Sequence, residues 1–163
     1  MAKVKKLLKN KVIRDILSAL AVAFFGFILL NLTFILDFIY QSLVAAAIRL
    51  FTPNDLFMEV GWFPPVMHAS FVAIVGLISL FVFRSKLRVL YKAIYMTVPA
   101  AVALVTIGMA LYRWPLLSFG IAGLLCIGTL LWFHRTKQPW LYYYTVILVG
   151  AVLSVFSLMG GEI

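Results

Sequence analysis

Five long apolar runs separated by short polar turns leave this chain very few ways to fold. They cover about residues 16–36, 66–83, 89–112, 116–133 and 140–159. An α-helix needs about 20 apolar residues to cross about 30 Å of hydrocarbon, whereas a barrel strand needs only about 10. Hydrocarbon offers no hydrogen-bond partners, so each spanning segment must satisfy its own backbone, and runs of this length do so as helices. The expected fold is all-α: one polytopic membrane domain over residues 1–163, a bundle of about five transmembrane helices. Composition agrees, with 65% hydrophobic and 12% charged residues against roughly one-half and one-quarter in soluble domains.

The charges set the expected orientation. Lys3, Lys5, Lys6, Lys9, Lys11 and Arg14 precede the first run, Arg84, Lys86, Arg88 and Lys92 separate the second from the third, and Arg135 and Lys137 separate the fourth from the fifth. The alternate connections hold only Arg49 and Arg113, with the acids Asp55 and Glu59. Short cationic loops stay on the cytoplasmic side, which places the N-terminus in the cytoplasm and the C-terminus outside, in a multi-pass protein of the cell membrane. Trp62 and Trp114 then fall at the outer interface, and Trp132, Trp140, Tyr142 and Tyr91 at the inner one, where amphipathic rings prefer to lie. The net charge of +9 is directed at anionic lipid headgroups, at about 1 kcal/mol for each nearby cation, and no nucleic acid partner is expected.

The first run is too long for a signal peptide, whose apolar core spans about 7–15 residues, so a retained first helix is expected. Apolar character resumes after Asp37, from Phe38 to Phe51, interrupted by Gln41, Ser42 and Arg49. A separate span there would be short and would invert everything after it. The stretch 38–51 is therefore expected to extend the first helix or to lie in the outer interface, ending at Thr52 and Pro53. A continuous helix from Lys11 to Phe51 would be about 60 Å long at 1.5 Å per residue.

Small residues four apart let membrane helices approach closely. Candidate pairs are Ala19 with Ala23, Ala69 with Ala73, Thr97 with Ala101, Ser118 with Ala122, and Gly150 with Ser154. Cys126, the sole cysteine, cannot form an internal disulfide or a zinc site, and is expected to be a packing residue.

Ionisable groups inside a membrane cost about 2.5–3.5 kcal/mol at mid-helix, so each raises a functional question. Asp37 is the foremost, with Gln41 at the i, i+4 spacing where side chains meet. Glu59 and His68 flank the Pro64–Pro65 turn and with Asp37 form a candidate outer cluster, since carboxylate and imidazole exchange protons and ligate cations. Tyr95 and Pro99, where a kink would free a carbonyl, are candidates for a deeper floor. One His beside irregularly spaced acids is not a metal motif, and no metal or cofactor is expected. Nucleophile-elbow, zinc-protease and phosphate-loop signatures are missing, which disfavours an enzyme. Three functions are compatible with this pattern. The first is a non-catalytic subunit or accessory factor of a membrane assembly, with a protein partner or a second copy. The others are a transport or small-solute- or lipid-binding protein, and a lipid-directed enzyme using Glu59 and His68.

Overall fold

The computed structural model describes residues 11–51 and 63–159, with side chains for all of these except Phe51, Phe63, Pro64 and Pro65. Every element is an α-helix: α1 (Lys11–Phe51), α2 (Phe63–Arg84), α3 (Val89–Ala110), α4 (Pro115–Arg135) and α5 (Trp140–Leu158). All five are long and apolar enough to cross a membrane. The stretch 38–51 continues α1 as a single helix of 41 residues. Nothing within it stops a helix: the Ser42 hydroxyl donates to the Phe38 carbonyl one turn back and the first proline comes only at position 53.

The turns explain where the helices end. Pro115 opens α4 at a position where a missing N–H costs nothing. At the other end of α4 the Gln138 N–H donates to the Phe133 carbonyl at 3.0 Å and the Lys137 N–H to His134 at 3.2 Å. Lys137 itself adopts φ 50°, so the helix closes in a Schellman motif with lysine where glycine is usual. Between α2 and α3, the Lys92 ammonium donates to the Phe83 carbonyl at 2.7 Å. A cation thus neutralises the negative end of α2.

Interhelical contacts set the directions. Gly26 of α1 meets Thr97 of α3, and Thr145 of α5 meets Ala93 of α3, while Ser79 of α2 meets Tyr95 of α3. Near its other end α2 places Ser70 against Tyr40 of α1. Accordingly α1, α3 and α5 run one way, and α2 and α4 return. The helix α3 lies in the middle, in contact with all four others, and buries Ala93, Met96, Thr97, Val98, Ala101, Val102 and Val105.

Small residues bring the helices together where they pack best. Gly26 is buried on α1, and a Cβ there would lie 2.5 Å from Thr97 Cγ2. The Thr97 hydroxyl lies 3.3 Å from the Gly26 carbonyl and 2.7 Å from that of Ile94. Thr145 repeats the device, 3.2 Å from the Ala93 carbonyl and 2.8 Å from Leu141. Such interhelical bonds contribute about 0.6 kcal/mol each on average, so they fix register more than they hold the bundle together.

Of the expected small pairs, Thr97 with Ala101 lies in this packed seam. Ser118 with Ala122 and Gly150 with Ser154 instead line a cavity of about 530 Å³ between α3, α4 and α5. The reason is that α4 is held by short turns at both ends and buries only Phe133. Phe133 stands in an aromatic group, its ring 5.9 Å from Tyr142 and 5.6 Å from Tyr143, with Phe83 of α2 6.5 Å from Tyr142. Tyr142 is buried between helices, because aromatic rings from α2 and α4 flank it.

Candidate functional site

Most polar side chains in the helices are satisfied locally. Ser18, Asn31, Thr33, Ser42, Ser79 and Thr129 each donate to a carbonyl one turn back, the usual resort of such groups in a helix. Asp37 and His68 have no such resort, and the fold brings them together.

Asp37 reaches the interior because it continues the inward stripe of α1 formed by Val22, Gly26 and Thr33, all buried. Steps of four and seven residues keep one face of a helix together. His68 follows buried Met67 on α2, and Thr106 stands one turn beyond buried Val102 on α3. Three helices therefore supply one side chain each. His68 Nδ1 lies 3.5 Å from Asp37 Oδ2, and the two side chains are only 16% and 14% exposed. On the other edge of the ring, His68 Nε2 is 3.1 Å from the Thr106 hydroxyl, which lies 2.6 Å from the Val102 carbonyl.

The hydrogen-bond directions constrain the protons. Thr106 has one hydroxyl proton and donates it to Val102, so it accepts from His68, and Nε2 carries a hydrogen. In a neutral imidazole Nδ1 would then present a lone pair to a carboxylate lone pair. One proton between Nδ1 and Oδ2 removes that repulsion, giving either imidazolium with carboxylate or imidazole with carboxylic acid. The geometry thus accommodates one more proton than a neutral histidine beside an ionised aspartate. The 3.5 Å separation is an ion-pair distance and too long for a good hydrogen bond. Asp37 Oδ1 and His68 Nδ1 have no hydrogen-bond partner among the described residues.

A second polar pair lies beside the first. Ser70 donates to the Met67 carbonyl at 2.7 Å, so the Tyr40 hydroxyl, 2.8 Å from Ser70, is the donor between them. The Tyr40 ring rests against Phe71 at 5.9 Å. These contacts pin α1 to α2 just past Asp37 and hold the carboxylate toward the imidazole.

The remaining candidates lie elsewhere. Gln41 is half-buried, but it is the His68 ring, and not the Gln41 amide, that stands beside the Asp37 carboxylate. Glu59 lies outside the described residues. Tyr95 shares its hydroxyl with Ser79 at 3.2 Å and is no floor to the cluster: it precedes Thr106 by eleven residues of α3, about 16 Å along the axis. Pro99 sits within an unbroken α3 and lines a separate cavity of about 260 Å³. Thr106 carried no signal in the sequence that set it apart from any other helix threonine. Among the described residues no three His, Cys, Asp or Glu side chains gather as a metal site would require.

No family model, curated protein or solved structure matches this chain. Its site must be read from its own residues.

Proposed function

We propose that this chain is a multi-pass cell-membrane protein of the transport class, N-terminus in the cytoplasm, that binds a small cationic solute in exchange for a proton at Asp37 and His68. The observation that carries this reading is the Asp37–His68 pair itself, set among apolar helices, with Asp37 Oδ1 and His68 Nδ1 lacking a hydrogen-bond partner among the described residues. Charged pairs inside membrane bundles mark ion and proton paths far more often than they serve stability.

The exchange follows from charge. A carboxylate in a low-dielectric interior needs one counter-cation. With the extra proton in place, imidazolium fills that role. When the proton leaves, His68 becomes neutral, keeps its Nε2–H bond to Thr106, and the carboxylate is open to an ammonium group of a solute. Asp37 Oδ1 supplies a further acceptor for such a donor. The net charge of the site is the same in both states, so neither state leaves a bare ion in the bundle.

Thermal unfolding of the detergent-purified protein against a panel of organic amines and metal ions tests this. A ligand at one hundred times its Kd stabilises by about 2.7 kcal/mol. The expected result is a saturable stabilisation by an amine, lost in Asp37→Asn and kept in Tyr95→Phe, whose hydroxyl lies outside the site. A flat panel, or a shift that survives Asp37→Asn, overturns the reading. The subunit reading would then take its place, on the observation that α1 and α4 leave long apolar faces uncovered, including Phe24, Phe27, Phe38, Leu116 and Leu124.

A further inference from the structure

We propose that the cavity between α3, α4 and α5 holds an acyl chain of an anionic phospholipid, with Arg113 binding its phosphate. This site is separate from Asp37 and His68 and depends only on the helices being in a membrane.

The cavity has the size and lining for a chain. At about 530 Å³ it falls within the ~300–1,000 Å³ of ordinary ligand sites. Its lining on α4 runs from Pro115 to Leu130, a rise of about 22 Å, which exceeds the ~15 Å of one leaflet's hydrocarbon. Small residues on all three helices make the room: Gly108, Ala122, Gly123, Gly150 and Ala151. A Cβ added to Gly123 meets nothing within 4 Å. Apart from Tyr112, Ser118, Ser154 and Ser157, its lining side chains are apolar or small, which suits hydrocarbon.

The mouth of the cavity selects the headgroup. Tyr112 lines it and is well exposed. The Arg113 Nε–H donates to the Tyr112 hydroxyl at 2.9 Å, and the guanidinium carbon lies 5.6 Å from the Tyr112 ring centre. That bond uses Nε alone and leaves both terminal amino groups for another acceptor, in the fork that suits phosphate. No Asp or Glu occurs between Gly61 and Gly161, so α3, α4 and α5 supply no carboxylate to neutralise Arg113. An acidic lipid brings a negative charge, which the described residues of these three helices do not supply, directly above the space for its chain.

Native mass spectrometry of the full chain, equilibrated with phosphatidylglycerol or phosphatidylcholine of identical chains, tests the proposal. The expected result is one lipid per chain at saturation, with phosphatidylglycerol preferred. Gly123→Phe should reduce retention of both lipids at least tenfold. Gly120→Phe, at a position that does not line the cavity and has open space around it, should leave retention unchanged. Arg113→Gln should bring the two lipids to equal occupancy. Full retention in Gly123→Phe, equal loss in both glycine variants, or a headgroup preference that survives Arg113→Gln overturns the proposal. So does a Gly123→Phe variant that changes oligomeric state, since the surface would then serve contact between copies.

Discussion

Replacing Asp37 and His68 by leucine, singly and together, should give stabilities that do not add, and the structure sets the pattern. In His68→Leu the carboxylate loses the charged neighbour it has among the described residues, and Thr106 stays satisfied because it already donates to Val102. The cost is that of an uncompensated charge at a site 14% exposed, about 3 kcal/mol, the lower end of the range for broken buried pairs. In Asp37→Leu the imidazole keeps its bond to Thr106. What remains is one unsatisfied ring nitrogen, about 1 kcal/mol. The double variant contains neither charge and fills the same volume with hydrocarbon, so it should lie within about 1 kcal/mol of the parent protein. The coupling between the two sites is then about 3–5 kcal/mol, at or above the upper limit usual for residues in contact. Equilibrium unfolding in mixed detergent and dodecyl sulfate micelles measures all four chains. A double variant that loses the sum of the two single costs would show that the pair is not electrostatically linked and would remove the basis for proton exchange there.

Gly26→Ala should destabilise by about 1–3 kcal/mol through overpacking, less the ~0.8–1 kcal/mol that alanine gains over glycine within a helix. Thr97→Ser, which deletes the methyl group met at 2.5 Å, should recover most of the loss, and a thermal melt showing no rescue would mean that α1 and α3 are not in close contact. Phe133→Ala should cost about 3–5 kcal/mol as a buried aromatic truncation, and because Phe133 is the sole buried residue of α4, it should also speed alkylation of Cys126 by a small maleimide. An unchanged alkylation rate would show that α4 is fastened by something other than its aromatic anchor.

The helices were legible because hydrophobic run length is a property of the sequence taken one segment at a time. The runs expected to begin at about 116 and 140 become helices that begin at Pro115 and Trp140 for the same reason, since proline and short polar turns act locally. The site was only half legible. Asp37 and His68 stood out as costly groups in apolar surroundings, yet their meeting depends on how three helices pack, which no local spacing encodes. Gln41, at the ideal helical spacing from Asp37, had a weaker claim than an imidazole thirty-one positions away. Thr106 was invisible, because a helix threonine that bonds its own backbone looks the same whether or not a histidine also reaches it. Gly150 and Ser154 teach the complementary lesson. Small residues permit close approach without compelling it, and with α4 anchored only at Phe133 theirs became the wall of a cavity.

The central place of α3 has a consequence for biosynthesis. The inward face of α1, with Gly26 and Asp37, leaves the ribosome before any of its partners exist. The hairpin with α2 gives Asp37 its imidazole, but the deep seam at Gly26 waits for Thr97. Until the third helix is in place, the first two are joined only near Tyr40–Ser70 and Asp37–His68, and the Gly26 face of α1 has no partner. A chain halted before Ala110 is therefore the form that membrane proteases and insertion chaperones should recognise, and the arrival of α3 is the event that turns separate helices into a protein.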